Sequence, residues 1–209
     1  MAGIILNGSV IKGLILNGSP VTAMLNGVKV FPTEEPSGPL PAYTLRLRFA
    51  DGVTPTNSKG TLTQVSSSPN IWDWTYSADW TEAWYNCNTL LEVIDGNTSN
   101  VTNMLAVFAS CSSLTSVSLL DTSNVTCMTQ MFYGCTSLTA IPLFDTSKVT
   151  TMSYMFQNCY KVKSGALALY QQASSQTTPP LNHSNTFRNC GRDTTTGAAE
   201  LAQIPSDWK

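Results

Sequence analysis

A phrase repeated at fixed spacing constrains this chain more than any other feature. "CSSLTSVSLLDTSNVTCMTQMFYGC" runs from Cys111 to Cys135, and "CTSLTAIPLFDTSKVTTMSYMFQNC" runs from Cys135 to Cys159. Cys87, Cys111, Cys135 and Cys159 lie 24 residues apart, and Cys190 follows after 31. Three residues before each stands an aromatic: Trp84, Phe108, Phe132, Phe156 and Phe187. Leu90, Leu114, Leu138 and Val162 form a further apolar column, as do Val93, Val117 and Ile141, then Val101, Val125 and Val149, then Met104, Met128 and Met152. Units of about 20–50 residues with constant apolar columns cannot bury their edges alone and do so by stacking. The expected fold is therefore an α/β repeat, a short capped solenoid of 24-residue coils preceded by a small β-hairpin module. "SNVT" and "LTSV" would supply short parallel strands. "MTQMFYGC", apolar at i, i+3, i+4 and i+7, would supply helical turns.

The flanks divide around this block. Residues 1–31 carry "LNG" three times, giving Asn7-Gly8, Asn17-Gly18 and Asn26-Gly27 between apolar, β-branched residues. Asn-Gly tolerates the two positive φ angles of a type I′ turn, so these pairs predict a meander of about six short strands. So small a meander packs on copies of itself or on a host surface, or forms an ordinary small β-subdomain. Residues 32–42 are Pro-rich and read as a semi-rigid linker. Residues 43–86 hold the alternating strand "YTLRLRF", with Leu45, Leu47 and Phe49 inward and Arg46 and Arg48 outward. They also hold Trp72, Trp74, Trp80 and Trp84, which read as an N-terminal cap for the repeats at 87–190. The unit from Cys159 to Cys190 is lengthened by "SGALALYQQASS", which predicts a helix. Residues 191–209 read as a C-terminal cap, with threonine N-cap candidates and a Pro-led stop.

Composition narrows the function classes. Only 11% of the 209 residues are charged and the net charge is −2, without the basic face that neutralises phosphates, so nucleic acid is not an expected partner. There is no apolar run of the roughly 20 residues a membrane span needs, so membrane insertion is not expected. The start, "MAGIILNGSVIKGLILNGS", lacks the basic and apolar regions of a leader, which implies synthesis in the cytoplasm without standard export.

The repeated phrase resembles the BspA-like leucine-rich repeat family, whose unit reads roughly C-x-S-L-T-x-[IVL]-x-L-x-[DN]-[TL]-S-N-V-T-x-M-x-x-M-F. The likeness covers residues 84–190. It implies a curved or rod-like stack of short parallel strands and a surface-exposed adhesion or receptor-binding role. The Asn-Gly hairpins joined to a short repeat domain resemble phage virion proteins, such as tail-fibre or head-fibre components. That resemblance implies a homo-oligomer, a trimer by analogy, anchored to other virion proteins through residues 1–31 and carried on the virion surface. The alternatives are a BspA-type adhesin on a bacterial surface and a purely structural tail or head component.

No candidate chemistry outweighs a structural reading. Zinc wants close cysteine pairs or histidines, whereas these cysteines are 24 apart and His183 is the only histidine. Cys87, Cys111, Cys135, Cys159 and Cys190 read as a reduced, buried ladder beside Phe108, Phe132, Phe156 and Phe187, with Cys127 off the column and more exposed. His183 with Cys190 lacks the third group a thiol nucleophile needs. Asn97, Asp121 and Asp145 read as turn caps before Thr-Ser and not as a calcium cage. A non-enzymatic protein without a cofactor is expected. Tyr85, Tyr133, Tyr154 and Tyr160 are the candidate recognition residues, since aromatics beside hydroxyls and amides suit host-surface glycans or proteins. They are equally placed to fill part of the core.

Overall fold

The computed structural model describes residues 4–6, 9–11, 24–25, 28–29, 39–57, 59–78 and 80–209. The chain forms two compact units, Met1–Pro39 and Leu40–Lys209. In the first unit, β1 (Ile4–Leu6) pairs antiparallel with β2 (Ser9–Ile11), and β3 (Met24–Leu25) with β4 (Val28–Lys29). Leu6 lies opposite Ser9 and Leu25 opposite Val28, the registers of two-residue hairpins. The turn residues Asn7, Gly8, Asn26 and Gly27, the third pair Asn17-Gly18 and most of the linker at 32–42 lie outside the described residues.

The second unit is built on a sheet of β5 (Thr44–Phe49), β6 (Thr61–Ser67), β7 (Asn70–Thr75), β8 (Leu90–Asn97) and β9 (Ser116–Val117). The strand order is β6-β7-β5-β8-β9. All pairs are antiparallel except β8–β9, which is parallel and so opens the register of the repeats. The alternation in β5 sends Leu45, Leu47 and Phe49 into the core. There Phe49 meets Trp84 at 5.3 Å, and Trp74 meets Trp80 at 5.0 Å and Trp84 at 5.7 Å between ring centres. Three of the four clustered tryptophans are thus buried, while Trp72 is partly so.

Arg46 corrects the expectation that both arginines face water. It is 5% exposed, because β5 is the middle strand and its neighbours shield both sides. Asp73 lies directly opposite on β7 and takes Nε at 2.8 Å and a terminal nitrogen at 3.0 Å, a two-pronged, charge-assisted pair. Arg48, nearer the strand end, is half-buried and bonds Glu92 at 2.8 Å.

The expected α/β solenoid is overturned. Among the described residues the second unit is a small five-stranded mixed sheet with two short α-helices and a single 3-10 turn, and the repeat carries neither a strand nor a helix in every unit. Backbone dihedrals explain the missing helical turns. Ala106, Gln130 and Tyr154 have φ of 52°, 57° and 61°, and Ser110, Gly134 and Asn158 have φ of 61°, 70° and 64°. A left-handed residue every fourth position forbids an α-helix, so the chain closes successive three-residue turns instead. The amides between these turns reach the next unit: Met104, Ala106, Phe108 and Ser110 donate to the carbonyls of Cys127, Thr129, Met131 and Tyr133 at 2.6–3.0 Å. Residues 128–134 repeat the pattern onto 151–157. The residues that follow the "SNVT" segments make isolated parallel bridges, Asn103 to Cys127 and Cys127 to Thr151.

The apolar columns stack as their spacing requires. Phe108, Phe132, Phe156 and Phe187 lie nearly parallel, 5.4–6.1 Å apart, and Trp208 continues the column at 6.2 Å. Helix α1 (Ala166–Ser174) occupies the predicted insertion and buries Ala166, Leu169 and Ala173. It starts from Gly165, at φ 99°, where any Cβ would lie 2.2 Å from the Ile141 carbonyl oxygen. Helix α2 (Thr195–Gln203) is capped by the Thr194 hydroxyl, which accepts the Gly197 N–H at 3.1 Å.

Phe132 has an aromatic neighbour above and below and no exposed surface. Phe132→Ala is expected to cost about 3–5 kcal/mol, read as a lowered urea midpoint. Phe187→Ala should cost at least as much, because its removal also uncouples Trp208.

Candidate recognition surface

The cysteine ladder is a set of weak hydrogen-bond donors. The thiols of Cys111, Cys135 and Cys159 reach the carbonyls of Trp84, Phe108 and Phe132 at 3.0, 3.1 and 3.1 Å. Those carbonyls already accept the amides of Cys87, Cys111 and Cys135 at 3.1–3.2 Å. Each thiol therefore fills a second lone pair that hydrophobic packing would have left empty. Burial drives the Cys111 thiol up to about 12 and raises Cys135, Cys159 and Cys190 as well. All six cysteines are free; Cys87 and Cys127 are only partly buried.

The His183 ring lies flat on Trp208, 4.1 Å between centres, while the Cys190 thiol is buried and protonated. Among the described residues, no group of three or more His, Cys, Asp or Glu could hold a metal ion.

Asp121 and Asp145 sit where the repeat turns. Asp121 accepts the Ser123 hydroxyl at 2.7 Å and amide at 3.0 Å, and Asp145 accepts the Ser147 amide at 2.8 Å. These bonds hold both carboxyls below the usual carboxylate range: chiefly the Ser123 hydroxyl for Asp121, and chiefly the Ser147 amide for Asp145. The adjoining threonines turn inward, and Thr98 and Thr122 bond the carbonyls of Asp121 and Asp145 in the next unit at 2.7 and 2.8 Å. One Asx-Thr-Ser turn thus pins its own loop and the one after it.

Of the tyrosines singled out from sequence, Tyr85 is 57% exposed and Tyr154 38%. Tyr133 and Tyr160 are partly buried, and Tyr160 lies beneath the Arg192 guanidinium at 4.2 Å. They occupy three different columns of the repeat, so stacking does not line them into one row.

The row that does form was not anticipated. Leu119 and Leu143, one repeat apart, are 65% and 53% exposed. With Asp121, Asp145, Leu120 and Thr122 they line a shallow depression of about 350 Å³. The signal lay in the apolar doublets Leu119-Leu120 and Leu143-Phe144. An extended chain sends neighbours to opposite faces, and Leu120 and Phe144 take the buried one.

Residues 67–190, more than half of the chain, match the protein family described as Mycoplasma protein of unknown function, DUF285. No curated protein and no solved structure matches the chain.

Thiol labelling at pH 8 should modify Cys127 and Cys87 first and reach Cys111, Cys135, Cys159 and Cys190 only on unfolding. Counting labelled cysteines by mass spectrometry checks this order. The lowered carboxyls of Asp121 and Asp145 add stability that is fully present above their unfolded pKa of about 3.9 and is lost as pH falls through the folded value. Asp121→Asn with Asp145→Asn should therefore flatten the acid limb of a Tm-against-pH curve below about pH 4.

Proposed function

The chain belongs to the DUF285 family, and from that premise we propose a non-enzymatic virion protein whose repeat region is displayed for contact with a host-cell surface. The observation that carries this reading is the exposed row of Leu119 and Leu143 beside the ionised Asp121 and Asp145. Contiguous apolar surface edged by polar groups is a mark of an interaction site. Thr102, Thr126 and Thr150 form a second exposed row, so the stack repeats its contact chemistry along its length and suits a partner that is itself repetitive. The likeness of the 24-residue phrase to BspA-like surface proteins points to a host glycan or protein as that partner. The Asn-Gly hairpins, by their likeness to phage tail-fibre or head-fibre modules, supply attachment to the particle and self-association, taken as a trimer.

Two measurements test this. Fluorescent full-length chain should adsorb saturably to intact bacteria, and Leu119→Ser with Leu143→Ser should reduce that adsorption about tenfold, the equivalent of about 1.4 kcal/mol. Linear, non-saturating adsorption would refute surface recognition. Gold-labelled antibody should decorate phage particles; decoration confined to bacterial envelopes would replace the virion reading with that of a cellular adhesin.

A further inference from the structure

We infer that the depression along Leu119 and Leu143 receives lysine or arginine side chains of a partner protein, their stems on the leucines and their cationic heads at Asp121 and Asp145. This is the row that carries the surface-recognition reading, so the inference rests on that reading and names the chemistry of its partner.

The lining has two parts. Leu119 and Leu143, 65% and 53% exposed, supply aliphatic surface. The polar side chains supply acceptors and no free donor. Thr122 donates its hydroxyl to the Asp145 carbonyl at 2.8 Å, and both aspartates are ionised, since the contacts with Ser123 and Ser147 hold them below the usual carboxylate range. An ionised carboxylate has about four acceptor sites. The serine two places on takes no more than two of them, through its amide and hydroxyl. Both aspartates are exposed, so the remaining sites are open to a ligand.

The fold does not require these charges. The same place in the preceding unit holds Asn97, whose side-chain oxygen accepts the Ser99 hydroxyl at 3.0 Å, so a neutral amide serves the turn. The leucine place in that unit holds Asp95. Leucine and aspartate thus occur together in the two units that form the depression, and neither stands at its place in the unit before. Asp121 and Asp145 also repel each other, which a cation shared between them relieves.

Charge complementarity selects a basic partner. Between Lys59 and Lys148 the chain holds seven carboxylates and no lysine or arginine. Asp73 and Glu92 pair with Arg46 and Arg48, whereas Asp121 and Asp145 have no ion-pair partner among the described residues. The Lys148 ammonium donates to the Asn124 side-chain oxygen at 2.6 Å. A bare metal ion gains nothing from exposed leucine, and a neutral sugar leaves the carboxylates unanswered. Lysine and arginine carry an apolar stem below a charged head and match both parts of the lining. Neighbouring rungs of a stack lie about 4.8 Å apart and alternate side chains of an extended strand about 6.8 Å, so one basic strand reaches both aspartates.

Titration of the full-length chain into fluorescent peptides tests the site. A peptide of four Lys-Leu repeats should bind at least tenfold more tightly than one of four Glu-Leu or four Lys-Ser repeats. Asp121→Asn with Asp145→Asn should weaken the Lys-Leu peptide about fivefold. Leu119→Ser with Leu143→Ser should weaken it about tenfold, and both variants should keep the parent's near-ultraviolet circular dichroism. Equal binding of either control peptide, or an asparagine variant that binds as the parent does, would overturn the inference. Peptide discrimination without adsorption to bacteria would keep the basic partner and remove the host-surface reading. Leucine-dependent adsorption that survives protease treatment of the cells and is lost to periodate would keep the surface reading and remove the protein partner.

Discussion

Every larger feature of the repeat region depends on the hydrogen bonds that alternate amides send to the next unit. Met104, Ala106, Phe108 and Ser110 each donate to a carbonyl 23 residues on, and Met128, Gln130, Phe132 and Gly134 do the same. Every second donor, Ala106 and Ser110 in one unit and Gln130 and Gly134 in the next, is itself a left-handed residue. Because the offset is 23 throughout these units, and 30 from Met152, Tyr154, Phe156 and Asn158 across the lengthened one, like residues are brought over like. Phenylalanine then falls on phenylalanine, and the thiol of one unit falls on the carbonyl of the unit before. The rings supply the apolar burial, while the amides hold the register that makes that burial possible.

The same geometry governs the surface. Residues between the apolar columns are repeated as rows, so any exposed group appears again one unit later. Leu119 and Leu143 form such a row, whereas the scattered tyrosines do not, because no column holds tyrosine in adjacent units. Where the repeat meets the sheet the register begins, and the segments that carry Tyr43, Ser77 and Asn100 come together only there. A terminal junction is the one place in a repeating stack where unlike residues are gathered.

Much of this was legible in the chain and some was not, for identifiable reasons. Invariant columns such as Phe108, Phe132 and Phe156 announced their burial, the Thr194 cap announced α2, and alternation announced β5. The absence of helical turns was hidden. Ala106, Gln130 and Tyr154 share a positive φ but no residue chemistry, and none is glycine. Apolar residues at i, i+3 and i+4 face inward equally well from a helix and from a chain of tight turns. Arg46 read as a surface residue because its partner, Asp73, is 27 residues away on a strand that a local pattern does not pair with β5. The exposed Leu119 and Leu143 lay outside the apolar columns and went unassigned, because hydrophobicity alone does not say which of two adjacent residues faces out.

The thiol-to-carbonyl contacts have a consequence for where such a protein can work. A fold stapled by disulfides forms only in an oxidising compartment, and one dependent on exposed thiols fails there. Here Cys111, Cys135 and Cys159 contribute as protonated donors shut away from oxidants. These three thiol-to-carbonyl contacts are therefore as compatible with an oxidising exterior as with a reducing cell interior, whereas the partly buried Cys87 and Cys127 stay open to oxidation.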